Sequence, residues 1–423
     1  MKPKVLLLGM GNRGHKSYGK FALEGAVDME ISAICDADPE RLAHLRGIYG
    51  VPESMVFGSW EDALSQKLPV DATIVSLPDN QHRGAAIQAL DNGNHVLLEK
   101  PIDNSPQGCM DIVKAQERSG KVLSVAHVLR YTPFFEQIKE VVESGELGDL
   151  RTVDLKEEVG YWHFAHSYTR GNWRNEAESG PVLLTKSCHD LDIISWLVGD
   201  VPKTISSRGS LDQFRADQAP DGSGMRCLDD CAVEDSCPYS ARKIYLETNE
   251  KDLGVTLSTI AFSTDLEERE GAIREGPYGR CVYQCDNDVC DNQNVAIDFE
   301  NGARANFQLR AGGEDPTRDI EIYFEKGKLQ GDILKGEIKV IPYSGVRRKS
   351  IARTEELDAK GEHAGSDLAF TRDFIEAVRS GNSDDNLTSA QESLQSHLMV
   401  FAAEASRKSG LPVNYDSFVS KYR

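Results

Sequence analysis

The sequence predicts two architectures in one chain: an N-terminal α/β unit on a parallel sheet, then a larger α+β region on a mostly antiparallel open sheet. Three observations predict this. Short apolar runs alternate with helical stretches as far as Ala126. A glycine-rich turn follows the first of those runs. Beyond Gly148, strands that alternate apolar with polar residues recur with few helices between them.

The 423 residues are enough for two domains with full-sized cores. Hydrophobic residues make up 39% and charged residues 27%, the balance of an ordinary globular protein. There is no apolar run long enough for a membrane span. The N-terminus enters a strand directly, without the ordered regions of a signal peptide, so a cytoplasmic location is expected. A net charge of -20 with no basic stripe repels phosphate backbones and argues against nucleic-acid binding. Nine cysteines in a chain without an export signal argue against extensive disulfides.

Lys4 to Leu8 reads as a strand buried on both faces. It leads into Gly9-Met10-Gly11-Asn12-Arg13-Gly14, a G-x-G-x-x-G turn. Gly9 permits the tight turn, Gly11 lets the backbone approach a pyrophosphate, and Gly14 lets the next helix sit close to the sheet. That helix runs through Glu24 and turns its unpaired N–H groups toward the phosphates. A second strand, Glu30 to Asp36, ends 22 residues after Gly14 in an acid suited to the ribose 2′-hydroxyl. A carboxylate there repels a 2′-phosphate, so NAD is expected rather than NADP. The competing reading of Asp36 is a helix cap, a role that Asp38 before Pro39 already fills. A third strand, Asp71 to Ser76, precedes a helix from Arg83 to Asn92. The next strand ends in Glu99-Lys100-Pro101, a helix covers Pro106 to Ser119, and Lys121 to Ala126 is a further strand. Right-handed βαβ units follow, hence a Rossmann dinucleotide-binding domain over residues 1–127.

The loop Gly9 to Gly14, the strand end Ser76-Leu77-Pro78 with Asn80 and His82, and Gly93-Asn94-His95-Val96-Leu97-Leu98-Glu99-Lys100-Pro101 together resemble the Gfo/Idh/MocA family, the relatives of glucose-fructose oxidoreductase and inositol dehydrogenase. The resemblance is close over the N-terminal half and holds in outline beyond it. It implies a nicotinamide cofactor in contact with Gly9, Gly11, Asn12, Arg13, Gly14, Asp36, Ser76, Leu77, Pro78, Asn80, His82, Glu99, Lys100 and Pro101. It also implies sugar or cyclic-polyol chemistry, with Lys100 reaching the reacting hydroxyl. A C-terminal sheet whose free face joins subunits into a dimer or tetramer is implied as well.

Residues 128–423 form the expected second domain. Arg130 lies in its first segment, and Pro133 suits the first turn of a helix. His163 to Arg174 is too polar and aromatic for a core strand and is expected as a loop over the crevice. In it Tyr168 and Arg170 are candidate substrate contacts, and the resemblance sets Trp173 and Arg174 beside the cofactor. One helix is expected from Pro181 to Gly199, with Thr185, His189 and Asp192 on one face. His189 is the acid–base candidate. The resemblance implies an aspartate four residues before it, where this chain has Thr185, so the partner of His189 is open between Asp192 and Lys186. Lys100, Arg130, Tyr168, Arg170, Thr185, Lys186, His189 and Asp192 make up the expected substrate site.

An insertion at about 207–290 carries Cys227, Cys231 and Cys237 in a polar, acidic stretch. Their spacing suits a structural zinc, which needs a fourth ligand, Cys281 or Cys285. An iron–sulfur cluster takes four cysteines at other usual spacings, and free thiols or a single disulfide are the plain alternative. Hairpin turns at Glu300-Asn301-Gly302 and Glu325-Lys326-Gly327 join the later strands, and helices from Asp367 to Arg379 and Ser389 to Lys408 are expected to pack on that sheet.

These elements predict an NAD(P)-dependent oxidoreductase that moves a hydride between a nicotinamide and a secondary hydroxyl of a sugar, sugar derivative or cyclic polyol. A base must take the hydroxyl proton, which is the role expected of His189. Lys100 is expected to steady the alkoxide by charge and hydrogen bonding, or to relay the proton. The same parts serve a redox-neutral, NAD-dependent glycoside hydrolase or lyase, and a cofactor-binding regulator without turnover is the third reading.

Overall fold

The computed structural model describes residues 2–229, 231–248, 257, 259, 260, 265–345, 353–356, 365–382 and 386–423. Parts of the cysteine-bearing insertion and the stretch before residue 353 lie outside these.

The first six strands are β1 (Lys4–Leu8), β2 (Glu30–Cys35), β3 (Val56–Phe57), β4 (Ala72–Val75), β5 (His95–Leu98) and β6 (Leu123–Val125). They form one sheet in the order β3-β2-β1-β4-β5-β6, and every neighbouring pair is parallel. β1, β4 and β5 are almost wholly buried because helices cover both faces of the sheet. The order reverses between β1 and β4, which opens a crevice at the carboxyl ends of the strands.

The second sheet has nine strands: β7 (Leu150–Gly160), β8 (Pro202–Ser210), β9 (Asn292–Phe299), β10 (Arg304–Gly313), β11 (Thr317–Phe324), β12 (Gly327–Asp332), β13 (Glu337–Pro342), β14 (Arg353–Glu356) and β15 (Val413–Asn414). Their order is β14-β13-β12-β11-β7-β10-β9-β8-β15. Only β7 and β10 pair in parallel; the other described pairs are antiparallel. Alternating burial along β10 and β11 leaves one face on the core and one outward. The insertion falls between β8 and β9, so it begins a few residues later than the spacing predicts.

Three expectations are corrected. The segment after β7 is helical, with turns over Tyr161–Phe164 and Ala165–Arg170, where a loop was expected. Phe164 and Tyr168 lie on its inner side and are buried. The helix expected from Pro181 to Gly199 is two pieces, Val182–Thr185 and Cys188–Val198, broken at Lys186 and Ser187. The helix Ser366–Ser380 packs on the first sheet, not the second: Phe370, Phe374 and Ile375 join the core of Val5, Leu7, Ile74 and Leu97. The long helix Ala390–Ser409 bridges the two halves, packing on β8 and on the helix Pro106–Ser119. No helix among the described residues is long and apolar enough to cross a membrane.

Candidate active site

The ends of β1, β2, β4, β5 and β6 deliver Gly9, Asp36, Ser76, Lys100 and His127 to one edge of the parallel sheet. Each is a residue or two past the end of a strand, where the side chains leave the ladder and enter the crevice.

The glycine turn is tight. Gly9 has φ +85, and a Cβ on it would lie 2.3 Å from the Ser76 carbonyl oxygen. A Cβ on Gly14 would lie 1.8 Å from the Gly9 carbonyl oxygen. A Cβ on Gly11, by contrast, meets nothing within 4 Å. The helix that begins at Asn12 has no side-chain cap from Gly11, so its first N–H groups stay available to an anion. Ser76 Oγ lies 2.9 Å from the carbonyl oxygens of both Leu8 and Gly9 and donates to one at a time, fastening β4 to the turn. This cradle fits a dinucleotide pyrophosphate. Gly14→Ala should therefore weaken NAD binding about ten- to hundredfold, the effect of a 1–3 kcal/mol overpacking strain. A fluorescence titration reads it, and unchanged affinity would contradict the cradle.

Asp36 is buried. Its Oδ2 accepts from the Met10 N–H at 2.7 Å and its Oδ1 from the Asp38 N–H at 2.9 Å. Arg41 Nη1 approaches both oxygens, at 2.9 and 3.2 Å.

Several expected cofactor contacts bond to one another or to neighbouring loops. Arg13 donates to Glu99, to Tyr18 at 3.0 Å and to both oxygens of Asp367 at 2.8 and 2.9 Å. Arg13 and Glu99 thus join the glycine helix to the end of β5 and to the helix Ser366–Ser380. Burial opposes ionisation of Glu99, but Arg13 and Tyr18 hold its carboxyl below the usual range. His82 is buried between two carbonyl oxygens, Pro101 at 2.7 Å and Leu77 at 3.0 Å, and braces the two loops. Asn80 is exposed on the same loop, and the Lys100–Pro101 peptide is cis.

Lys100 Nζ donates to the main-chain carbonyl of Thr185 at 2.6 Å. A carbonyl inside an unbroken helix is already bonded. The break after Thr185 therefore exposes the acceptor that the lysine uses. Four residues on, the His189 ring stands edge-on to His127, with centroids 5.6 Å apart, and His127 stands edge-on to His397 at 5.2 Å. His127 is fully buried, and neither ring nitrogen has a hydrogen-bond partner among the described residues. Asp192 Oδ2 is 3.8 Å from its Nδ1. Burial pushes His127 down to about 4, against the pull of Asp192. His397 accepts from the Ile102 N–H at 2.9 Å and donates to the Ser393 carbonyl at 2.8 Å; burial takes it down to about 3.

Five of the expected substrate residues have partners within the chain. Arg130 and Asp192 form a buried, two-pronged ion pair at 2.7 and 2.8 Å, and Arg130 also donates to the Leu387 carbonyl at 3.0 Å. Burial raises the Asp192 carboxyl, but Arg130 overrides that and holds it below the usual range. Asp192 therefore neutralises a buried guanidinium. Lys186 Nζ is 3.4 Å from Glu157, inside a buried group where Arg318 bonds Glu157 at 2.6 Å and Asp190 at 2.7 and 3.1 Å. Arg170 is buried in the insertion and donates to the carbonyls of Arg280 at 2.8 Å and Tyr239 at 2.7 Å. A guanidinium taken out of water needs such acceptors. Tyr168 is buried against Phe164, ring centroids 5.3 Å apart, and 6.2 Å from the Trp173 ring.

Trp173 Nε1 donates to Asp79 Oδ2 at 3.1 Å, which ties the helical segment to the loop after β4. Arg174, expected at the cofactor, makes a two-pronged pair with Asp286 of the insertion at 2.9 and 3.0 Å. Asp79 and His127 also stand at this crevice and were not singled out from the sequence. Burial raises the Asp79 carboxyl above the usual range, against the pull of His82 and Lys100. The signal for both was position, since each lies within four residues of the end of a parallel strand. His397 had none, lying mid-helix without a motif.

All nine cysteines are unpaired. Among the described residues, no group of three or more His, Cys, Asp and Glu side chains is gathered as a ready metal site.

A dinucleotide cradle at the switch point of a parallel sheet, with Lys100 on the neighbouring strand end and His189 supplied by the second, sheet-based half, defines an NAD-binding oxidoreductase. A family model described as "Oxidoreductase family, NAD-binding Rossmann fold" matches residues 3–127, and its companion, "Oxidoreductase family, C-terminal alpha/beta domain", matches residues 139–415. The chain belongs to the Gfo/Idh/MocA family of oxidoreductases. It is 24% identical to YteT of Bacillus subtilis over 398 residues, covering 88% of each chain. It is 23% identical to an inositol 2-dehydrogenase of Salmonella typhimurium over 206 residues, 48% of this chain and 57% of that one. The solved structure of a levoglucosan dehydrogenase with NADH and levoglucosan shares the fold, with TM-score 0.72 at 17% identity over 98% of this chain and 100% of that one.

Proposed function

We propose that the chain oxidises a secondary hydroxyl of a sugar, sugar derivative or cyclic polyol, or runs the reverse reduction, with NAD preferred over NADP. The observation that carries this reading is the bond from Lys100 Nζ to the Thr185 carbonyl, which fixes the ammonium at the crevice four residues before His189. The cofactor, when bound, supplies the hydride acceptor. An ammonium has three N–H donors and the carbonyl takes one, so the rest are available to a substrate oxygen. Lys100 steadies the developing alkoxide, and His189 takes the hydroxyl proton. The substrate class is supported by the family and by the inositol 2-dehydrogenase relative.

NADH production from free aldoses and cyclic polyols tests the reading directly. Release of an aglycone without net NADH would replace it with redox-neutral chemistry, and NAD binding without either would make the chain a regulator. Asp36→Ala should relax the preference for NAD toward NADP, because it removes a carboxylate and leaves Arg41 facing the ribose. An unchanged ratio of kcat/KM for the two cofactors would remove Asp36 from the ribose site. The same reading has the chain act in the cytoplasm as a homo-oligomer joined through the outward face of the nine-stranded sheet.

A further inference from the structure

Cys227, Cys231 and Cys237 are close in sequence, and the fold brings Cys281 to them. The Cys227 N–H donates to the Gly279 carbonyl at 2.9 Å, and the Cys281 N–H to the Met225 carbonyl at 2.9 Å. The segments around Arg226 and Arg280 therefore run as a short antiparallel ladder, with a cysteine one residue beyond each. The four cysteine side chains line one small cavity. Cys285, the other candidate for fourth ligand, does not line it, and its thiol faces the Cys281 carbonyl at 3.3 Å.

The cavity has a second peculiarity. Its wall includes Arg170, whose guanidinium is fully buried. Nη2 lies 3.5 Å from Cys227 Sγ, and Nη1 is buried with no hydrogen-bond acceptor among the described residues. A buried cation needs a compensating anion. One acidic residue lines the cavity, Glu234, and its carboxylate is occupied by the Ser240 hydroxyl and by Arg242 at 3.6 Å. The remaining source of negative charge is the cysteines themselves, as thiolates.

We propose that Cys227, Cys231, Cys237 and Cys281 bind one zinc ion as four thiolates, with Arg170 as the N–H donor to the Cys227 sulfur. Four thiolates on a divalent cation leave two negative charges, and the guanidinium offsets one of them. Each thiol gives up its proton on binding, and the ion draws together sulfurs that share a cavity without standing at ligating geometry in the metal-free chain. The site is structural, because all four positions on the metal are taken by protein. It secures the segment that runs from Arg170 to Trp173, and it stands independently of the proposed activity.

The test is elemental analysis of the full chain purified under reducing, chelator-free conditions. About one zinc ion per chain is expected, released as the four thiols react with a mercurial in the presence of a chromogenic chelator. Cys231→Ser with Cys237→Ser should carry almost none, and Arg170→Gln should retain zinc about 10–100-fold more weakly against a competing chelator. Folded wild-type chain with far less than stoichiometric zinc overturns the proposal, whatever the variants do. Iron with visible absorption in place of zinc overturns it, as does zinc that survives the double substitution. Unchanged retention in Arg170→Gln removes Arg170 from the site.

Discussion

Lys100→Met lowers turnover by about 10²–10⁴-fold, the range for loss of a positioned proton-handling group, while the chain still binds NAD. Methionine keeps the length and apolar stem of the side chain but removes every donor. The loss falls on kcat because the ammonium acts on the oxygen of the reacting carbon. Binding persists because the cradle is made by Gly9 to Gly14 and Ser76, none of which depends on the lysine nitrogen. Single-turnover NADH formation reads the first effect and a fluorescence titration with NAD the second. Retained turnover would remove Lys100 from the chemistry. Lost NAD binding would mean that the substitution had disturbed the Glu99–Arg13 link beside it.

Asp192→Ala destabilises the fold by about 3–5 kcal/mol, the cost of leaving a buried charge without its partner. Arg130 would keep the Leu387 carbonyl and, 3.9 Å away, the largely exposed Glu392 carboxylate. The double change Arg130→Met with Asp192→Leu should recover much of the loss, since replacing a buried pair by apolar side chains is often neutral. Chemical denaturation measures both. Asp192→Ala with near-normal stability and abolished turnover would reverse the assignment and return Asp192 to His189 as its orienting group.

Much of the site was legible in the chain because its signals are local. A glycine that must adopt φ +85, one that must touch the preceding turn and an acid at the end of the next strand each leave a spacing in the sequence. Asp38 and Ser105 cap their helices beside Pro39 and Pro106, which is why those boundaries agree. The partners of charged groups were not legible in this way. Arg13 meets Asp367 across 354 positions, and nothing near either residue announces the other. Arg170 and Arg174 read as crevice residues because they are polar and follow aromatics, yet the insertion supplies their acceptors.

By itself the sequence determined the parallel sheet, the dinucleotide cradle and the strand end that carries Lys100. All of these follow from backbone sterics and apolar periodicity over short stretches. The tertiary structure alone decided what each buried ionisable group neutralises and what Lys100 bonds. Burial makes an unpaired charge costly, so each such group takes whichever partner the packed chain brings near. At Thr185 that partner is a main-chain carbonyl, exposed by a helix break that the run from Pro181 to Gly199 did not announce.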